Sequence, residues 1–190
     1  MNSEIDKDYQ YLSLENVIRN KYASVVWSHK IQEKQAEIYS TNYKRLKTAS
    51  ILSASITSVG IVSLIFTDQL WVKIASAIIS FVTIFVSSYF KTFNLSDLQK
   101  SHKVSANQIL QIRDKLEMIL TEIKIRSKPP EIIWQDYKEL LEELHKCYNE
   151  APATTDKAVK LARKSLNIKK DNSFSDDEID SFLPETLRKE

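Results

Sequence analysis

The side chains whose spacing could do chemistry here are hydroxyls in apolar surroundings. Ser76, Ser80, Thr83 and Ser87 recur at steps of four, three and four within KIASAIISFVTIFVSSYFK, which carries no charge between Lys73 and Lys91. On an ideal helix they form one continuous face, opposite Ile78, Phe81, Ile84 and Phe85. Ser50, Ser53, Thr57 and Gly60 draw a comparable small-residue line through TASILSASITSVGIVSLIFT. Such lines let membrane helices approach closely and hydrogen-bond across the contact. In an oligomer they can instead line a path for water. Two helices cannot enclose a pore, so the second use requires several copies. Neither 48–67 nor 74–90 contains Asp, Glu, Lys, Arg or His. That argues against a proton relay or a charged-substrate site at membrane depth, and any pore would be weakly selective.

Other chemistry is sparse. His29, His102 and His145 fall on separate predicted helices, so no two histidines share a metal-ligand spacing in sequence. Glu139, Glu142 and Glu143 read as a solvated helix face. No Ser, Thr or Cys has a context that activates a nucleophile. A single Gly cannot supply a phosphate-cradling loop. Cys147 is the only cysteine, which excludes an intrachain disulfide and a multi-cysteine zinc site. The expectation is therefore no enzyme, no cofactor and no metal. A net charge of +2 gives no global field for nucleic acid, so direct nucleic-acid binding is not expected. The basic run Lys157, Lys160, Arg163 and Lys164 reads either as a solvated face or as a contact for phosphates or anionic lipid.

The elements that hold these residues follow from charge and periodicity. The 48–67 segment would span roughly 30 Å as a helix, the hydrocarbon thickness of a bilayer. The 74–90 segment would span roughly 26 Å, at the short end of the range. Only residues 68–73 separate them, so the two helices must be antiparallel neighbours. Lys44, Arg45 and Lys47 precede the first segment, and Lys91, Lys100 and Lys103 follow the second. The positive-inside rule then places both termini in the cytoplasm and the 68–73 loop outside. Tyr43, Trp71 and Tyr89 sit where interfacial aromatics belong. The start, MNSEIDKDYQYLS, lacks the basic-then-apolar order of a signal peptide.

Both apolar segments continue into amphipathic helices with alternating steps of four and three. One seam is Ile18, Tyr22, Val25, His29, Gln32, Ala36, Tyr39, Tyr43 and Leu46. The other is Leu95, Leu98, His102, Ser105, Ile109, Ile112, Leu116, Ile119 and Ile123. The polar breaks, His29 with Gln32 and His102 with Ser105, either fix register or are locally satisfied hydrogen bonders. With no Pro or Gly on the way, two long helices are predicted, from about Leu14 to Phe66 and Val72 to Ile125. Lys128-Pro129-Pro130 stops the second. A helix follows from Glu131 to Tyr148 with Ile133, Tyr137, Leu140, Leu144 and Cys147 on its apolar line. After Ala151-Pro152-Ala153, Thr154 or Thr155 caps a short helix through Leu166. KKDN at 169–172 reads as a linker. Ser175-Asp176-Asp177-Glu178 is a capping box before Ile179, Phe182 and Leu183. That last piece reads as a groove-docking peptide or as a disordered acidic tail.

The predicted fold is an all-α membrane protein: a long antiparallel helical hairpin with two transmembrane spans and a cytoplasmic coiled-coil or helical bundle. Its divisions are a tail (1–13), a cytoplasmic helix (14–47), span one (48–67), the outward loop (68–73) and span two (74–90). A second cytoplasmic helix (91–126), the C-terminal helices (131–168) and a tail (169–190) follow.

The stretch LSDLQKSHKVSANQILQIRDK resembles the SLATT family, bacterial two-span membrane proteins named for their association with nucleotide-signalling enzymes and sensor domains. His102, Ala106 and Arg113 match the family's histidine, alanine and arginine positions. They lie within about 40° on an ideal helix, a candidate cytoplasmic contact or signal surface. PPEIIWQDYKELLEELHKCYNEAPATTDKAVKLARK resembles the C-terminal helices of one subgroup, and the N-terminal helix shares the pattern around Trp27, His29 and Lys30. The similarity runs from about Val17 to Leu166. It implies a bacterial inner-membrane effector of anti-phage, abortive-infection defence. Such an effector would be triggered by a partner enzyme, a cyclic-nucleotide synthase or for some subgroups a reverse transcriptase, and would act as a homo-oligomer that opens or damages the bilayer. The rivals are a membrane-anchored scaffold recruiting a cytoplasmic partner, and a soluble helical protein whose apolar segments form its core.

Overall fold

A computed structural model of the chain describes residues 2–66, 69–92, 94–169 and 179. Among these the architecture is all-helical. It comprises α1 (Asn2–Phe66), α2 (Leu70–Thr92), α3 (Leu95–Ile125), α4 (Pro130–Glu150) and α5 (Asp156–Lys164), followed by a π-helical turn over Ser165–Lys169. α1 is one helix of 65 residues, about 100 Å long at 1.5 Å per residue. Every other helix packs against it. α3 and α2 run antiparallel to it. Asp8 meets Arg126, Tyr22 meets Glu117, Gln32 meets His102 and Thr57 meets Thr83, in that order along α1.

α1 begins at Asn2, not near Leu14. Its first turns are held by tertiary contacts that periodicity does not reveal. The Tyr11 hydroxyl donates to the Lys128 carbonyl at 2.9 Å, Arg126 lies over the Tyr11 ring, and Leu14 is buried. The second predicted long helix is broken into α2 and α3. Asn94 caps α3 by accepting from the Asp97 amide, and its side-chain nitrogen reaches the Asp97 carboxylate. An Asn at an N-cap satisfies an orphan amide that a continuing helix would have paired internally. Helix α2 also starts at Leu70, inside the predicted loop. The 170–178 and 180–190 stretches, which include the predicted capping box, Phe182 and Leu183, lie outside the described residues.

The core lies where α1, α3 and α4 meet. Ile18 and Val25 of α1 face Ile109, Ile112, Leu116, Ile119 and Ile123 of α3 and Ile133, Tyr137, Leu140 and Leu144 of α4. Leu98, expected in the α3 seam, remains 37% exposed. Near the end of α4, Tyr148 donates to the Ser28 hydroxyl of α1. α3 ends at Arg126 in the left-handed region (φ 52), with the Ser127 amide bonded to the Glu122 carbonyl. Gly usually fills this position; here Arg126 takes it, and the helix closes before the prolines. Pro130 opens α4 at a position that needs no amide hydrogen. Lys128 clamps the corner, contacting Asp136 at 2.8 Å and Glu122 at 3.0 Å.

Candidate functional site

Two polar arrangements sit on the face of α1 that the other helices cover. The first is the contact with α2. Ser50, Ser53, Thr57 and Gly60 are all half-buried, whereas Ile51, Leu52 and Ile56 are exposed. A Cβ added at Gly60 would lie 3.0 Å from Ser76 Oγ, so the absence of a side chain there permits the close approach. One turn away, Thr57 Oγ1 and Thr83 Oγ1 are 3.4 Å apart. Thr57 donates to the Ser53 carbonyl (2.8 Å) and Thr83 to the Ile79 carbonyl (2.9 Å). The exposed Ser55 and Ser58 bond back to Ile51 and Ala54 in the same way. Hydroxyls satisfied by their own helix need no water partner, which is how an apolar segment can carry so many.

The α2 stripe divides between two environments. Ser76 and Thr83 join Val72, Ala75, Ile79 and Val86 on the half-buried side; Ser80 is half-buried at its edge and Ser87 is exposed. Ile78, Phe81, Ile84 and Phe85 are exposed, 58–71% of their surface being open.

The second arrangement is a buried polar contact joining α1 to α3 and to the α4–α5 connection. His102 Nδ1 lies 2.6 Å from Gln32 Oε1, and the Gln32 amide donates to the Pro152 carbonyl at 3.2 Å. Because Gln32 presents its oxygen, His102 carries its proton on Nδ1. The His102 ring stacks on Tyr39, with centroids 5.4 Å apart. One turn along, Gln35 Oε1 accepts from both the Thr155 amide (2.9 Å) and the Thr155 hydroxyl (2.8 Å). Thr155 also caps α5.

His102, Ala106 and Arg113 do share a flank of α3, but it is not an open surface. His102 is 1% and Ala106 0% exposed, closed off inside the chain. Arg113 is half-buried with its guanidinium on the neighbouring Asp114 carboxylate. Gln35, and the burial of Lys30, were not anticipated. Both are buried, Lys30 bonding to Glu33 at 2.9 Å. The only sequence signal for Gln35 is its position one turn after a seam glutamine.

Among the described residues no three His, Cys, Asp or Glu side chains are grouped to hold a metal. Burial raises the Cys147 thiol above its ordinary range, with Glu150 and Glu143 adding to it, so it is not an activated nucleophile. Burial lowers both His29 and His102 below the ordinary 6.5; at His29, Glu33 opposes this while Arg113, Lys30 and Lys103 reinforce it. His29 Nδ1 has no hydrogen-bond partner among the described residues.

A group with a depressed folded-state pKa takes up its proton at higher pH when unfolded. Stability is therefore complete above about pH 6.5 and is lost as pH falls below it. Thermal melts of the chain should show a midpoint that falls between pH 7.5 and pH 5. Replacing His29 and His102 by Gln should flatten that fall, and an unaltered pH slope in the double variant would remove the histidines as its cause.

Among the described residues one helix, over Leu70–Tyr89, is long and apolar enough to cross a membrane, and none of its residues is fully buried within the chain. With the small-residue contact on α1, it gives an all-helical protein that has an apolar three-helix core at one end and, at the other, an outward-facing apolar helix suited to membrane association. The family model for the SMODS and SLOG-associating 2TM effector domain family 4 (SLATT_4) matches residues 14–178, and the chain belongs to that family. It is thus an effector domain of a kind associated with SMODS and SLOG partners. No curated protein and no solved structure matches the chain.

Proposed function

We propose that this chain is a non-enzymatic membrane effector of bacterial anti-phage defence. Residues 48–67 and 74–90 would cross the inner membrane as a hairpin with both termini in the cytoplasm. The observation that carries the reading is the inside-out character of α1 and α2 at this level: Ile74, Ile78, Phe81, Ile84 and Phe85 face outward around a contact of Gly, Ser and Thr. Apolar groups on that scale require a bilayer or other copies of the chain. Triggered by a partner enzyme, a nucleotide synthase or a reverse transcriptase, the α1–α3–α4 bundle would shift α1, and several copies would assemble to open or disrupt the membrane.

Ser80 and Ser87 lie outside the closest α1–α2 contact and are the stripe residues free to line a shared path. Ser80→Leu with Ser87→Leu is expected to abolish leakage in a membrane-potential dye assay while membrane insertion is unchanged. Leakage equal to that of the parent chain would sink the water-lining role. The second reading is an anchored scaffold without a pore. It is favoured by the hydroxyls that are already bonded to their own helix, and it predicts that induced expression leaves the membrane potential intact.

A further inference from the structure

We propose that the groove between α1 and α2 at the level of Arg45 is a binding site for one anionic phospholipid. The proposal rests on the membrane reading above. One turn of α1 (Asn42, Arg45, Leu46) and one turn of α2 (Phe85, Val86, Tyr89) flank an open groove of about 330 Å³, with Arg45 and Phe85 exposed at its rim. Its wall is mostly hydrocarbon, supplied by Leu46, Phe85 and Val86, and its polar groups belong to Asn42, Arg45 and Tyr89. That is the layout of a phospholipid: a charged head beside a chain.

Charge fixes the sign of the occupant. Arg45 has no hydrogen-bond or ion-pair partner among the described residues. No Asp or Glu occurs from Ile38 to Phe66 or from Leu70 to Ser96, so no carboxylate from either helix neutralises it. Lys44 and Lys47 ring α1 at the same level and are exposed. Position fixes the depth. Arg45 precedes the charge-free 48–67 segment by three residues, about 5 Å along the axis, which is headgroup level if that segment spans. A guanidinium binds a phosphodiester by paired hydrogen bonds, Asn42 can add a donor, and an acyl chain would lie along Phe85 and Val86.

The test uses the full chain extracted from membranes of mixed phosphatidylglycerol and phosphatidylcholine in mild detergent, with retained lipid counted by native mass spectrometry. The parent chain should keep about one phosphatidylglycerol in preference to phosphatidylcholine. Arg45→Gln should reduce that retention about tenfold, the scale of one lost charge-assisted contact. Lys44→Gln, on another side of α1, should leave it unchanged, and Val86→Trp, which fills the groove, should lower it. Four outcomes would overturn the proposal: equal loss in the Lys44 and Arg45 variants, equal retention of the two lipids, no retained lipid in the parent chain, or a groove covered by a second copy in a lipid-free dimer. Recovery of the chain in the soluble fraction without detergent would overturn the membrane reading instead, so the two failures are distinguishable.

Discussion

Leu116→Ala is expected to lower the stability of the α1–α3–α4 bundle by about 2–5 kcal/mol. Leu116 is 1% exposed and belongs to the cluster built by Ile18, Val25, Ile112, Tyr137 and Leu140. Truncation removes the transfer free energy of its lost carbons and leaves a cavity that neighbours on three helices cannot all close. The helix backbone itself should tolerate alanine, which is the better helix former, so the loss reports tertiary packing alone. Denaturant unfolding followed by circular dichroism measures it. Met118→Ala, at a site 65% exposed on the same helix, should change stability by no more than about 0.5 kcal/mol. Similar losses at both positions would mean that the three helices do not share a core.

Gly60→Leu is expected to force α1 and α2 apart. The first side-chain carbon alone would stand 3.0 Å from Ser76 Oγ, and three more must find space in the same gap. Overpacking of this kind costs about 1–3 kcal/mol, which is roughly 5- to 150-fold in an equilibrium between joined and splayed helices. The Thr57–Thr83 contact at 3.4 Å offers a direct readout. With Cys147→Ser as background, Thr57→Cys and Thr83→Cys should oxidise readily to a cross-link, and adding Gly60→Leu should suppress it. Gly60→Ala should be mild, because its single methyl meets the rotatable end of Ser76. An undiminished cross-link with leucine present would show that the helices are not held by this approach.

Much of this arrangement is visible in the order of residues. The steps of four and three pick out Ile18, Val25, His29, Gln32 and Ala36 on α1, and all five are buried. They also pick out the α3 line from His102 to Ile123, because burial against one neighbour imposes one helical stripe. The Pro129-Pro130 break, a threonine cap at 154 or 155 and the small-residue line Ser50, Ser53, Thr57 and Gly60 can be read from the sequence, since each depends on a residue type with one dominant backbone or steric effect; the structure puts the cap at Thr155. What escaped depends on partners distant in sequence. The first three turns of α1 are held by Tyr11 and Asp8 reaching residues more than a hundred positions away. Gln35 carries no signal of its own in the sequence, and only the chain's return to α1 brings the Thr155 cap within reach of its buried side chain. The break at Asn94 was missed because Asn is tolerated inside helices, and its capping bond depends on the exact placement of Asp97.

The asymmetry between an unbroken α1 and a divided α2–α3 has a mechanical consequence. Along α1 the azimuth of each side chain is locked to that of every other, at 100° per residue. The flank that grips His102 and Thr155 is therefore in fixed phase with the flank that presents Gly60 to Ser76, some 40 Å away. A twist of α1 at Gln32 and Gln35 must reappear as the same twist at Gly60. The opposing arm is interrupted at Asn94, where α3 takes a fresh start and a phase of its own. The grip on His102 and Thr155 and the Gly60–Ser76 approach are thus set by the phase of one uninterrupted helix, whereas the partners they meet lie on separate elements.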